Sequence, residues 1–446
     1  MSGARDRQQG VFSALSSPGF RMYWSGAFVS SIGSWLQLTA VLWFVRTIGS
    51  DSLVGFVNLV GWIPVLFLGL FAGAMSDRLH RRRVILACQA VMMVCSIMMG
   101  VCIHTSINDL TLVVFLGISG VAYAIFTPAW LSAMPFLVTR ESILSANTLN
   151  NVQFNLARFI GPTIGGVLLV ATSAYMPFYL NALTFAAFMV LILVSKAEMP
   201  PPEPRRDSVV ASVVEGFKYV TENGWMGRIL LTVCGLSFFG FSFIVLVPAV
   251  CKQVLHVKSH YYGLLMGMTG LGALAGMFAV AALKKRVGLK AMMSVGAFLT
   301  AAFLIAFALS RAYWLSCLLA IGVGGSFLVF NAVAAAALQA NASPEMQGRV
   351  SSMLVVAYIG IFPLGGLLLG FLSDALSLKT ALLIGGFACV AVALCIVFFV
   401  SVPGEKQPAD SELGPALIPN NADADQRSSM SSGGERVSDK VRYSPI

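Results

Sequence analysis

The chain has 446 residues, of which 57% are hydrophobic and only 11% charged, and it carries a formal net charge of +10. Soluble domains carry about 25% charged residues, so this composition excludes a water-soluble protein and makes lipid the solvent. Charge of this sign can also indicate nucleic-acid binding, but here the basic residues lie in short loops with no basic or aromatic recognition module, so no nucleic-acid partner is expected.

A bilayer is crossed by about 20 apolar residues in a helix. Breaking the sequence at charges and at Gly, Pro and Asn clusters leaves twelve apolar stretches: 22–45, 53–75, 84–104, 110–138, 147–171, 176–195, 229–251, 261–283, 291–310, 312–339, 350–372 and 380–402. Residues 1–21 form a polar arm with Pro18 and Gly19 rather than a cleavable signal, so the first stretch is expected to serve as the insertion signal. Of the 29 Lys and Arg, 23 fall in the arm, the tail and the loops after even-numbered stretches, against 5 in the other loops. Basic loops stay in the cytoplasm, so both termini are expected there, with the protein a multi-pass resident of the cytoplasmic (inner) membrane. All eight cysteines fall inside spans and read as small buried hydrophobes.

Residues 196–228 separate the sixth and seventh stretches with a proline cluster at Pro200, Pro201, Pro202 and Pro204. The later part spaces Val209, Val213, Phe217 and Val220 by three or four, predicting an amphipathic helix on the membrane surface. Residues 403–446 are rich in Ser, Gly, Asp and Pro and are expected to be a disordered cytoplasmic tail. The expected domains are thus the arm 1–21, a six-helix bundle 22–195, the linker 196–228, a second bundle 229–402 and the tail. An offset of 208 aligns Gly55 with Gly263 and, 22 residues on, Asp77-Arg78 with Lys285-Arg286. A second echo sets Gly161-Pro162-Thr163-Ile164-Gly165-Gly166 against Phe362-Pro363-Leu364-Gly365-Gly366. Parallel repeats of six helices imply an all-α membrane fold of two bundles about a pseudo-two-fold axis, the architecture of alternating access.

The loop Gly73-Ala74-Met75-Ser76-Asp77-Arg78-Leu79-His80-Arg81-Arg82 resembles the signature between helices 2 and 3 of the major facilitator superfamily, with His80 where a second Gly is usual. The runs Phe20-Arg21-Met22-Tyr23-Trp24, Pro128-Ala129-Trp130 with Pro135, Ala146-Asn147-Thr148-Leu149-Asn150 and Ala157–Pro162 are similar to the branch of enterobactin-type siderophore exporters and macrolide efflux proteins. The resemblance covers residues 1–402. It implies a conformational-switch loop at Gly73, Asp77, Arg78, Arg81 and Arg82. It also implies an antiporter-type glycine motif at Gly161, Pro162, Gly165 and Gly166, with Ala157 where an upstream Gly is expected, and hence drug, macrolide or siderophore export in exchange for protons. Ordinary close helix packing is the alternative meaning of these glycines.

Arg158 is the one Lys, Arg, Asp or Glu inside a stretch, at a cost of about 2.5–3.5 kcal/mol on insertion scales. With Asn147, Asn151 and Asn155 it forms a polar stripe at helical spacing. Two readings stand: Arg158 meets an anionic or carbonyl-rich cargo in a central cavity, or it clamps carbonyls freed by Gly and Pro in neighbouring helices. Ser30, Ser34 and Gln37 form a second stripe, and Tyr123, Phe238, Phe241, Asn331 and Tyr358 are further substrate-pathway candidates. Aromatics, amides and one charge suit a bulky amphipathic organic molecule.

Proton antiporters usually keep a carboxylate in a span, yet the 19 acids here lie in loops, termini or the linker, with Asp51, Asp109 and Asp374 on the outer side. His256 and His260 have metal-ligand spacing but no acidic or Cys neighbour, so no metal is expected. No phosphate-binding Gly-rich loop and no selectivity filter is present, so neither an enzyme, a cofactor nor a channel is expected. Membrane lipids and a monomeric state complete the expectation. A lipid or lysophospholipid flippase of the same fold, or a transport-inactive sensor, are the alternatives.

Overall fold

The computed structural model describes residues 12–76, 80–105, 109–195, 199, 209–284, 286–343 and 345–402, with the backbone alone at 70–76, 109 and 209–213. Among these, twelve helices are long and apolar enough to cross a membrane. They are α1 (Pro18–Ile48), α2 (Asp51–Ser76), α3 (Arg81–Thr105), α4 (Asp109–Ala133), α5 (Ile143–Ala171), α6 (Met176–Val194), α7 (Gly224–Val254), α8 (Ser259–Leu283), α9 (Leu289–Leu309), α10 (Tyr313–Asn341), α11 (Gln347–Ala375) and α12 (Leu378–Phe399). Several begin a few residues outside their apolar stretch because polar residues make the first turn. α1 starts on Pro18, whose missing N–H costs nothing at that position, and the Ser377 hydroxyl accepts from the Thr380 N–H to start α12. The arm to residue 11, the proline cluster of the linker and the tail 403–446 lie outside the described residues.

Helix packing carries the internal repeat. In the first half α1 lies against α5 and α6, α3 against α4 and α6, and α2 against α4. Adding six to each label gives the second half: α7 against α11 and α12, α9 against α10 and α12, α8 against α10. The halves meet where α5 crosses α8 and α2 crosses α11, and the same operation exchanges these two seams. Both are glycine crossings. A Cβ on Gly166 would stand 2.7 Å from the Gly263 Cα, and one on Gly55 would stand 2.8 Å from the Gly366 carbonyl oxygen. Gly55 and Gly263, paired by the offset of 208, therefore do the same work in the two halves.

The motif-like runs near the start of the chain converge at one end of the first half. The Tyr23 ring stacks on Trp130 with centroids 3.9 Å apart, and its hydroxyl donates to the Trp130 carbonyl over 2.7 Å. Trp24 donates to the Leu149 carbonyl and Trp130 to the Asn150 side chain. These residues hold α1, α4 and α5 together.

The linker helix, Val209–Glu222, packs against α2 of the first half and α7 and α11 of the second, and its cross-helix polar contacts go to the second half. Glu215 pairs with Arg349 at 2.5 Å, the Ser343 N–H donates to the Tyr219 hydroxyl, and Val220 is buried while Phe217 is exposed. Side chains of Val209 and Val213 lie outside those described. The eight cysteines are free thiols, and burial holds for six; Cys234 is half-buried and Cys395 exposed on α12, a correction to the expectation that all pack inside.

Candidate functional site

α7 and α11, equivalent to α1 and α5, are both irregular at mid-length. α7 tightens into a 3₁₀ turn over Phe241–Val245, and α11 widens into a π turn over Val356–Gly360 just before Pro363. Such turns redirect side chains and are frequent at functional sites. They deliver Phe241, Ile244, Tyr358, Ile359 and Phe362 to a central cavity completed by Trp35, Leu38, Asn58, Trp62 and Phe154. Trp62 meets Phe362 across the halves at 5.7 Å, and within the second half Phe241 meets Phe362 at 5.2 Å and Tyr358 at 5.9 Å. The cavity is small, about 20 Å³, room for a single water.

Arg158 packs on two of the cavity's lining rings, 2% exposed. Its guanidinium lies over the Phe241 ring at 4.6 Å and the Trp35 ring at 5.7 Å. One terminal nitrogen donates to the Thr269 hydroxyl of α8 over 3.2 Å, whereas Nε has no partner. No described carboxylate pairs with it. Hydrogen bonds from Arg158 to backbone carbonyls are likewise absent among those described, so ring faces and a hydroxyl hold the cation.

A second cavity of about 100 Å³ lies within the first half and shares Leu38 and Trp62 with the centre. Ser34, Gln37 and Tyr123 line it with Asn181 and Ser119. Gln37 is committed to the fold as well, because its oxygen accepts from Ser96 at 2.5 Å and Asn181 at 2.8 Å. Ser30 turns away to Gln89, at 3.5 Å.

Along α5, Asn151 is exposed and Asn155 buried, its amide donating to the Asn151 carbonyl at 2.9 Å. Phe241 and Tyr358 line the central cavity, and Arg158 lies over the Phe241 ring. Phe238 packs on Phe239, and Asn331 bonds back to the Phe327 carbonyl of its own helix; neither lines either cavity. Trp35, Asn58, Trp62, Phe154 and Phe362 were not singled out in the sequence. Asn58 could have been, as an amide inside an apolar stretch; the aromatics carried no distinguishing signal.

The glycine run divides its work. Gly161 and Gly165 face α1 of the same half, where a Cβ would meet the Ile32 and Leu36 carbonyl oxygens at 2.6 and 3.0 Å, while Gly166 faces α8 of the other half. α5 continues unbroken through Pro162. In the switch loop, Asp77 and Arg78 lie outside the described residues, and Gly73 is on the last turns of α2, where the backbone alone is described. Arg82 donates to the Ile192 and Leu193 carbonyls at the end of α6, and Arg81 lies over the Phe136 ring at 4.7 Å. Both of these contacts stay within the first half.

At the end of the bundle opposite the basic loops, polar contacts close the halves together. Asp374 of α11 accepts from the Asp51 and Ser52 N–H groups at 3.1 and 2.9 Å, capping α2 from the other half. The buried Asp51 carboxylate takes Ser373 at 2.6 Å and Arg46 at 2.5 Å. Lys252 of α7 donates to Thr47 of α1 over 2.7 Å and sits on the Trp43 ring. Losing a cap costs about 0.5–2 kcal/mol, so Asp374→Ala should shift the closed population of this end by roughly two- to thirtyfold. Spin labels at Ser50→Cys and Leu376→Cys, both exposed positions, will report a longer distance population if the cap holds the halves together, and an unchanged distribution if it does not.

Residues 9–427 match a family model described as transmembrane secretion effector. The chain is 24% identical to the staphyloferrin A transporter of Staphylococcus aureus, over 85% of this chain and 95% of that protein. It is 27% identical to the enterobactin exporter EntS of Citrobacter koseri, over 86% and 92% respectively. Among solved structures it is similar to the nucleoside transporter NupG, with a TM-score of 0.68 at 15% identity over 85% of this chain and 98% of that one. The human organic anion transporter MFSD10 aligns with a TM-score of 0.64 at 15% identity, over 85% and 99%.

Proposed function

Because this chain belongs to the transmembrane secretion effector family of the major facilitator superfamily, we propose that it exports an amphipathic, acidic, siderophore-class organic molecule across the inner membrane. Its family and named relatives are transporters, and the relatives named for a cargo handle staphyloferrin A or enterobactin; they do not favour the flippase or sensor alternatives. The observation that carries the reading is Arg158, a buried cation between two aromatic faces at the meeting of the halves, with Nε unpartnered. A cation held by ring faces rather than by a carboxylate keeps its charge for a mobile anion, and the rings around it match an aromatic or apolar body.

In this reading both termini are cytoplasmic, the bundles 22–195 and 229–402 rock about the glycine seams, and the polar network at the opposite end is the closed outer gate. Asn151 and Asn155 lead from the cytoplasm to Arg158. Export runs in exchange for protons, supported by the likeness of the Gly161–Gly166 run to exporters. A second driving force has its own support, because no described acid lines the central cavity. An anionic cargo leaving an inside-negative cell gains about 2.3 kcal/mol per charge per 100 mV without any proton.

Acid-loaded everted vesicles separate these readings. Saturable proton release on adding a catecholate or hydroxycarboxylate siderophore, but not a lipophilic cation, macrolide or lysophospholipid, is the expected result. Labelled siderophore moving without proton release would leave export standing and replace the proton by the membrane potential. Movement of lysophospholipid alone would overturn the reading.

A further inference from the structure

Asn58 is the unexplained group in the central cavity. It sits on α2, 2% exposed, and neither its amide nitrogen nor its oxygen has a hydrogen-bond partner. Buried amides in native proteins are almost always paired, and one that is not requires a reason. The cavity it lines is aromatic and aliphatic apart from the Tyr358 hydroxyl and the indole N–H groups of Trp35 and Trp62, and none of these bonds to the amide. Leucine would fill that space without an orphaned amide.

Two further facts give the orphan a direction. Asn58 shares its cavity with Trp35 and Phe241, the two rings over which the Arg158 guanidinium lies, so the same two rings link the unpartnered amide and the unpartnered Nε. Asn58 also lies at the seam between halves: a Cβ on Gly366 of α11 would come 3.8 Å from its Nδ2. Separation of α2 from α11 would uncover the amide, and its cover depends on the state of the transporter. The repeat does not duplicate it, because the offset of 208 places Met266 at the equivalent position. The polar edge therefore belongs to the first half alone, as Arg158 does.

We propose that Asn58 is a cargo-binding residue, the donor–acceptor edge of a two-point site that takes a planar aromatic anion: Arg158 holds the acidic group, the rings hold the plane, and the Asn58 amide reads hydroxyl or carbonyl groups at the other end. This rests on the export reading above and adds the residue that selects among acidic aromatics. A site built to hydrogen-bond a ligand discriminates strongly against the analogue lacking that group, because its own buried polar atoms are then left unpaired.

The test uses the purified full-length protein, with the quenching of intrinsic tryptophan fluorescence by two probes that differ only in the proposed contact: 3,4-dihydroxybenzoate and benzoate. Wild type should prefer the dihydroxy acid by roughly tenfold, the worth of one to two net hydrogen bonds. Asn58→Leu should erase that preference while leaving benzoate binding within about twofold, which also shows that the variant is folded. Arg158→Gln should weaken both probes together. Retention of the tenfold preference in Asn58→Leu would overturn the role of Asn58 while leaving the anion site intact. Failure of wild type to bind either probe would overturn the proposal together with the acidic-aromatic reading, and weakening of both probes by Asn58→Leu would make the amide a structural support instead.

Discussion

Arg158→Gln is expected to reduce cargo efflux about a hundredfold while leaving the empty protein as stable as the wild type or more so. A hydrogen bond to a charged group contributes about 1.5–3 kcal/mol net, which is roughly ten- to a hundredfold, and the attraction of a cargo anion adds to it because Arg158 is buried away from water. Stability moves the other way because a buried cation without a carboxylate partner costs about 2.5–3.5 kcal/mol to place in a membrane, and glutamine retains a donor for Thr269. The paired measurement is vesicle efflux of a labelled siderophore and the thermal midpoint of the unliganded protein in detergent. Loss of efflux together with a lower midpoint would identify Arg158 as a structural clamp; unchanged efflux would remove it from the cargo path.

The second large effect concerns the seams. Gly263→Ala is expected to cost more than tenfold in transport, because the new Cβ meets backbone, not the end of a flexible side chain. It would stand 2.6 Å from the Gly166 Cα and closer still to the Pro162 carbonyl oxygen, distances that only separation of α5 from α8 can relieve. Small residues let membrane helices approach this closely, and tight packing transmits any misfit along the whole contact. Spin labels at Thr172→Cys and Lys258→Cys, exposed at the two sides of this crossing, should move apart in the variant. Gly348→Ala, where a Cβ meets nothing within 4 Å, is the matched control and should leave transport unaltered. Equal behaviour of the two variants would show that the seam does not need to close during the cycle.

Asn58 and the Asp51–Asp374 contacts illustrate why the candidate sites were only partly legible in the sequence. Arg158 announced itself, since one charge in an apolar helix has no inexpensive explanation. Gln37 met the same polar-in-span criterion, and the structure spends its oxygen on Ser96 and Asn181 inside one bundle. Asn58 met the criterion too, and there the structure leaves both amide atoms unpaired. Sequence spacing cannot separate these cases, because a hydrogen-bond partner on another helix leaves no periodic mark. Asp51 and Asp374 are likewise unremarkable as loop-end acids until the fold brings α11 over the start of α2.

The sequence by itself determined the solvent, the twelve spans and the repeat, and it did so for one physical reason: a chain in lipid must satisfy every backbone group within each helix, so length and hydropathy suffice to count helices. It also placed Gly55 against Gly263 as equivalents, since both repeats need a residue without a side chain where the halves cross. What only the tertiary structure decided is which face of each helix meets which neighbour. Gly161 and Gly165 turn to α1, and Gly166, about 100° further round the same helix, turns to α8. That difference divides one motif into a contact within the first half and a contact between the halves. In the same way, the irregular turns of α7 and α11 bring Phe241 and Tyr358 to the centre while Phe238, three residues before Phe241, stays outside the cavity lining. Side-chain direction at such turns depends on contacts between segments more than a hundred residues apart, Phe241 with Tyr358 and Phe362 within the second half and Trp62 with Phe362 across the halves, and those contacts exist only once the helices have packed.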